Sequence, residues 1–252
     1  MKALVLCAGY ATRMYPLTLD KPKHLLPIAG RPMLEYAMEQ LDRIGSINKV
    51  YIVTNAKFYS MFTEWSGNIK SWFSKEIEIF NDGTTSDETK LGAIGDIKFV
   101  LERAGLVDDF LIFAGDNLFE LDLSKFIHYA KVKNNITVAV HDVKNLELMK
   151  KYSEVSLDSD NRIIGFIEKP QCPKTTLAAV CIYFFPKEKL YLIERYLAEK
   201  NNPDQPGRYI EWVHKIVPVY GYVFTEKWYD IGDINQYMEA DREYTAKLKN
   251  GQ

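Results

Sequence analysis

"LCAGYATRMYPLTLDKPKHLLPIAGRPMLEYAMEQL", residues 6 to 41, decides how this chain is to be read. The apolar run "ALVL" (3–6) leads into it, and Met33, Leu34, Ala37, Met38 and Leu41 close it at helical spacing. Between them lies a long loop holding Gly9, Pro16, Pro22 and Pro27 with Arg13, Lys21, Lys23 and Arg31. Strand, loop, then helix is the opening of a parallel α/β unit. Ligands of open parallel sheets bind beyond the carboxyl ends of the strands, where this loop must sit. Gly9 lets the backbone approach a ligand closely, and successive N–H groups of such a loop form an anion-binding concavity. Arg13 offers a planar fork of donors and Lys23 a compact charge, while the prolines stiffen the loop and lower its ordering cost. The segment therefore reads as a seat for a polyphosphate.

The same texture continues downstream. "VYIVT" (50–54), "IEIF" (77–80), "DFLIFAG" (109–115) and "ITVAVH" (136–141) are apolar runs of the kind buried on both faces of a parallel sheet. Ile94, Ile97, Phe99, Val100 and Leu101, then Leu123, Phe126, Ile127 and Ala130, recur at helical spacing between them. After about residue 150 the pattern changes to a hairpin, "SEVSL" and "RIIGFIE" about a polar turn. A strand "LAAVCIYFF", a helix "KEKLYLIERYLAEK", a strand "VPVYGYVFT" and a charged helix "NQYMEADREYTAKLK" follow, the last with Tyr237, Met238 and Tyr244 expected on one side. The expected fold is α/β and Rossmann-like, a mostly parallel central sheet flanked by helices, with the β-hairpin half appended. One domain over 1–252 is expected, divided into halves of about 1–150 and 151–252.

Composition bounds the rest. Of the 252 residues 47% are apolar, enough for a full core, and the net charge of −2 carries no basic excess of the kind duplex nucleic acid demands. No apolar run approaches the length of a membrane span, and the amino-terminal run is too short for a signal-peptide core, so a cytoplasmic protein is expected. Cys7, Cys172 and Cys181 are too scattered for a disulfide framework or a zinc site, and the four histidines show no ligand spacing. "DSD" (158–160) has the Asp-x-Asp form of metal-dependent glycosyltransferases, but turn chemistry before Asn161 accounts for it.

"GYATRMYPLT", "KPKHLLPI" and "GRPMLEY" resemble, in order and spacing, the signature of the sugar-1-phosphate nucleotidyltransferases, with glucose-1-phosphate thymidylyltransferase a similar type. Gly9, Thr12, Arg13, Pro16, Thr18, Pro22, Lys23, Leu25, Leu26 and Pro27 match it; Ala11 replaces a second glycine. Four later segments extend the resemblance over nearly the whole chain: "KLGAIGDI" (90–97), "FAGDNLFE" (113–120), "GFIEKP" (165–170) and "WYDIGD" (228–233).

The resemblance implies transfer of a nucleotidyl group from a nucleoside triphosphate to a sugar 1-phosphate, with release of pyrophosphate. It implies Ala8, Gly9, Thr12, Arg13, Asp87 and Gly92 on the nucleotide, Gly95, Glu168 and Lys169 on the sugar phosphate, and Asp116 and Asp230 on magnesium. Arg13, Lys23, Asp116, Lys169 and Asp230 would be catalytic. Magnesium suits the pair, since it takes one or two protein carboxylates and fills its shell with phosphate and water oxygens. Asp233, after Gly232, is expected to cap the last helix and leave Asp230 free.

Related thymidylyl enzymes read the base with a glutamine; here Asp87 or Thr89 stands about there. A carboxylate favours an exocyclic amine, while the resemblance favours dTTP or UTP with glucose 1-phosphate. The alternatives are a CTP-dependent cytidylyltransferase acting on a sugar phosphate or a phosphocholine-like acceptor, and a non-catalytic sensor of nucleotide or sugar phosphate on the same fold. A glycosyltransferase is disfavoured by the weak "DSD". Partners are the two substrates and, open at this stage, further copies of the chain; neither nucleic acid nor membrane is expected.

Overall fold

A computed structural model describes residues 1–105 and 107–249. The strands are β1 (Lys2–Leu6), β2 (Pro27–Ile28), β3 (Arg31–Pro32), β4 (Lys49–Thr54), β5 (Glu76–Asn81), β6 (Phe110–Ala114), β7 (Asn117–Phe119), β8 (Ile136–Asp142), β9 (Ser153–Leu157), β10 (Ile163–Glu168), β11 (Leu177–Phe185), β12 (Val219–Phe224) and β13 (Trp228–Asp230). The helices are α1 (Leu34–Asp42), α2 (Tyr59–Asn68), α3 (Ala93–Ala104), α4 (Leu123–Lys133), α5 (Leu146–Met149), α6 (Tyr191–Ala198), α7 (Pro206–Val213) and α8 (Ile234–Lys249).

β5, β4, β1 and β6 pair in parallel, in that order. β11 then runs antiparallel to β6 and carries the hairpin β9–β10 on one side and the parallel pair β8–β12 on the other. The sheet is thus mixed, with a parallel nucleotide half, and the hairpin extends that same sheet.

The strand sequences follow from having both faces covered. Ala3 and Val5 of β1 and Leu111 and Phe113 of β6 face a core closed by α1, α2 and α4. Leu4, Leu6, Phe110 and Ile112 face the opposite core, closed by α3, α6 and α7. The period of two along each strand therefore sends alternate residues into different cores, and no polar alternation survives. A third cluster joins the opening loop to α8: Met14, Leu26, Ile28, Leu118, Ile231 and Ala240, with Tyr36, Tyr229, Tyr237 and Tyr244 against them. Met238 does not join them; it is exposed. α2 and α7 lie in stretches whose helical stripe is too short to stand out, Phe62 and Trp65 in one and Tyr209, Ile210 and Val213 in the other.

Candidate active site

The opening loop leaves β1 and folds over the carboxyl ends of β1 and β6. Ala11 adopts the left-handed conformation, φ 50°, and its carbonyl accepts from Met14 N at 2.9 Å and Thr18 Oγ1 at 2.8 Å. That turn leaves Thr12 and Arg13 exposed at the mouth of the site and buries Met14 and Thr18 beneath them. Lys23 points inward, donating to Asp116 Oδ2 at 2.5 Å and to the Ile231 carbonyl at 3.2 Å.

Asp116 and Asp230 come together through a small antiparallel ribbon. β7 and β13 pair Asn117 with Asp230, and Ile231 N donates to the Asp116 carbonyl at 3.2 Å. Asn117 donates from Nδ2 to Asp116 Oδ1 at 2.9 Å, and the Asn117 Oδ1 accepts from Trp228 Nε1 at 2.7 Å, which fixes the carboxylate's orientation. Burial raises the Asp116 carboxyl, but the ammonium of Lys23 and its hydrogen bond outweigh that and hold it below the ordinary value. Asp230 has no such bond. Burial, and then the negative charge of Asp116, push it up to about 6, although Lys23, Arg13 and Lys169 all act to lower it. Arg13 reaches this point by lying beside Gly232. Asp233 caps α8 as expected, accepting from Gln236 N at 3.0 Å, and the Asp230 carboxylate takes no part in that cap.

Two clefts meet at the ribbon. The first is lined by Ala8, Gly9, Ala11, Lys23, Gly92 and Asp116, and also by His24, Lys90, Asp96 and Asp204. Gly92, φ 79°, packs so closely on the Pro203–Asp204 backbone that a Cβ would lie 2.7 Å from it. His24 is buried and stays neutral, its pKa lowered to about 3 chiefly by burial. The second cleft is lined by Tyr152, Ser153, Glu168, Gly207, Trp228 and Asp230, with Cys181 and Tyr183 at its back. Ser153 Oγ donates to Glu168 Oε2, and a Cβ on Gly207 would overlap that carboxylate. Lys169 takes a left-handed backbone, φ 48°, with its N–H on the Tyr152 carbonyl at 3.1 Å, and its side chain is exposed at the rim. Burial first drives the Cys181 thiol up to about 12, which leaves it inert.

The structure thus gathers Ala8, Gly9, Lys23, Gly92 and Asp116 around one cleft, Glu168 and Asp230 around the other, and Arg13 and Lys169 near their junction. Asp87 does not itself line the first cleft but is exposed and 3.3 Å from Lys90, which does, and Gly95 sits within α3 against Leu91, lining neither cleft. Asn117, Tyr152, Ser153, Lys90 and Asp96 also line the two clefts, and sequence reasoning assigned them no role. Asn117, Lys90 and Asp96 stand inside the quoted segments "FAGDNLFE" and "KLGAIGDI", whereas Tyr152 and Ser153 carried no signal. "DSD" is a turn: Asp158 Oδ1 accepts from Asp160 N and Arg162 N, each at 2.9 Å. Among the described residues no three of His, Cys, Asp or Glu cluster as a metal cage, and no helix is long and apolar enough to cross a membrane.

A family model described as nucleotidyl transferase matches residues 2–247. The bifunctional protein GlmU of Methanocaldococcus jannaschii is 32% identical over 249 residues, covering 98% of this chain and 55% of that protein. The UTP–glucose-1-phosphate uridylyltransferase of Synechocystis sp. is 28% identical over 261 residues, covering 100% of this chain and 66% of that protein. The chain spans between about half and two thirds of the length of these relatives. Among solved structures, UDP-glucose pyrophosphorylase complexed with UDP-glucose has a TM-score of 0.80 at 24% identity, with 98% of each chain covered, and shares the fold.

Proposed function

The chain belongs to the nucleotidyl transferase family, and from that membership and the site geometry we propose that it transfers a nucleotidyl group from a nucleoside triphosphate to a sugar 1-phosphate, releasing pyrophosphate. The observation that carries the reading is the ribbon: Asp116 lines one cleft, Asp230 the other, and the strands that bear them are paired. Two substrates held in the two clefts would meet at those carboxylates, which suits an in-line displacement whose main demands are position and charge neutralisation.

In this reading an oxygen of the sugar phosphate attacks the α-phosphorus. That oxygen is already anionic, so no general base is needed. Lys23 holds the α-phosphate side, Arg13 takes charge building on the leaving pyrophosphate, Lys169 steadies the incoming phosphate, and Glu168 accepts from sugar hydroxyls. The donor set fits magnesium: two carboxylates that the paired ribbon brings to one point, close enough for the charge of one to act on the other, and among the described residues no third His, Cys, Asp or Glu clustered with them. Asp116 and Asp230 would hold it, and when bound it supplies charge neutralisation at the α-phosphate.

The name of the Synechocystis relative supports UTP with glucose 1-phosphate as the pair to try first, and dTTP, which the opening-loop resemblance favours, stands beside it. The test is a matrix of triphosphates against sugar 1-phosphates, with phosphocholine included, scored by pyrophosphate release with and without magnesium. Turnover with a sugar 1-phosphate is expected, and Asp116→Ala should lower it by roughly two to three orders of magnitude. Nucleotide binding without turnover would favour a sensor instead, and turnover only with CTP and phosphocholine would replace the acceptor assigned here.

A further inference from the structure

One wall of the second cleft is a cross-strand pair. Ser153 and Glu168 stand opposite each other in the antiparallel ladder of β9 and β10, so their side chains leave the same face of the hairpin. Both line the cleft and both are half-buried. Ser153 Oγ donates to Glu168 Oε2. The backbone holds the pair from two sides. Ser153 is also paired with Ala179 of β11, and Lys169 N donates to the Tyr152 carbonyl at 3.1 Å, one step beyond Glu168. The start of α7 closes over both oxygens at Gly207, where a Cβ would overlap them.

A serine hydroxyl has one proton, and here it is committed to Oε2. Among the described residues Ser153 is the one hydrogen-bond donor to this carboxylate. Oε1 has no partner and is not among the buried atoms, so it is open to solvent in a residue that lines the cleft. A glutamate at the end of a strand otherwise keeps its side-chain rotations, and freezing them when a ligand binds costs affinity. A bond from a hydroxyl to an ionised acceptor is of the stronger kind, and it removes that freedom in advance.

Resting on the nucleotidyl-transfer reading, which gives Glu168 to the sugar, we propose that Ser153 is a positioning residue for the acceptor substrate. It holds Oε2 and leaves Oε1 to accept from one hydroxyl of the sugar. Its effect therefore depends on that hydroxyl and on the Glu168 carboxylate, and not on the triphosphate.

The test measures initial rates for glucose, mannose and N-acetylglucosamine 1-phosphates, then for the monodeoxy analogues of whichever is used best. The proteins are the wild type, Ser153→Ala, Glu168→Ala and the double variant. Ser153→Ala should raise the KM for the sugar 1-phosphate roughly tenfold and leave the KM for the triphosphate within about twofold. In the Glu168→Ala background the same substitution should add less than about twofold. One analogue, lacking the hydroxyl that Oε1 accepts, should be used by Ser153→Ala and the wild type alike, within about twofold. Thermal melts check that the variants are folded, and if Ser153→Ala is not, Ser153→Cys takes its place as a weaker donor of similar size.

A wild-type KM in Ser153→Ala overturns the proposal. So does a penalty that falls on both substrates, is equal for every analogue, or persists in full without the Glu168 carboxylate, since each makes Ser153 structural. The two readings fail differently. If nothing is turned over, calorimetry with the same sugar phosphates makes the comparison: binding weakened by Ser153→Ala only where Glu168 is present removes the transfer reaction and keeps Ser153 as the positioning residue. Turnover with an unchanged KM in Ser153→Ala removes the role of Ser153 alone.

Discussion

Ala11 bears a cost that the rest of the loop must support. A left-handed alanine is strained by roughly 1–2 kcal/mol, and it occupies the place of a glycine in the signature that the opening loop resembles. Ala11→Gly relieves that strain while giving back roughly 0.4–1 kcal/mol in unfolded-chain entropy. The variant should be more stable by up to about 1 kcal/mol in a urea melt; a loss of stability would mean that the alanine methyl makes contacts worth more than the strain.

Asp96 gives the second residue-scale prediction. Its folded pKa, about 8, lies above the ordinary 3.8, so its contribution to stability is complete below pH 4 and is lost as pH rises towards 8. Asparagine carries no such penalty. Asp96→Asn should match the wild type at pH 4 and exceed it at pH 8 by on the order of a few kcal/mol, in urea melts across that range. Equal stability at pH 8 would show that the carboxyl ionises freely in the fold. Arg13, Lys23, Asp116 and Asp230 were legible in the sequence because their motifs are local. The raised pKa of Asp96 was not, because it depends on the turn after β5 bringing Asp82 close to α3.

At the scale of elements, the apolar runs of β1, β4, β5 and β6 were readable because both sheet faces are buried there. The neighbour of β8 was not. β8 has the same texture and runs in the same direction as those strands, but the antiparallel β11 lies between it and β6, and its parallel partner β12 arrives much later in the chain. α7 escaped notice too, and it shapes the second cleft. Gly207, near its start, faces the Glu168 carboxylate and Ser153 Oγ. Gly207→Ala should displace a side-chain end and leave the backbone in place. We expect the KM for the sugar phosphate to rise roughly tenfold, with thermal stability nearly unchanged. A normal KM would place the sugar away from Glu168.

Over the whole molecule, α8 acts as a clamp between parts distant in sequence. Asp241 Oδ1 accepts from Ala29 N at 2.7 Å, Tyr237 OH donates to the Pro27 carbonyl at 2.7 Å, and Lys247 is ion-paired with Glu120. Tyr244 lies edge-on to Tyr36 at 4.9 Å and to Tyr229 at 6.0 Å, joining α1 to the strand that carries Asp230. Tyr244→Ala should cost about 2–4 kcal/mol and lower kcat as well, measured by melts and by initial rates with both substrates saturating. A stability loss with unchanged kcat would separate the clamp from catalysis.

The ribbon of β7 and β13 also has a consequence in time. During synthesis Asp230 leaves the ribosome roughly a hundred residues after Asp116, which at about 5–20 residues per second is a delay on the order of ten seconds. Through that interval the nascent chain already holds its opening loop, Lys23 and Asp116, but lacks the strand that completes the site. Whatever the early half binds, the two clefts are not joined until β13 has been made.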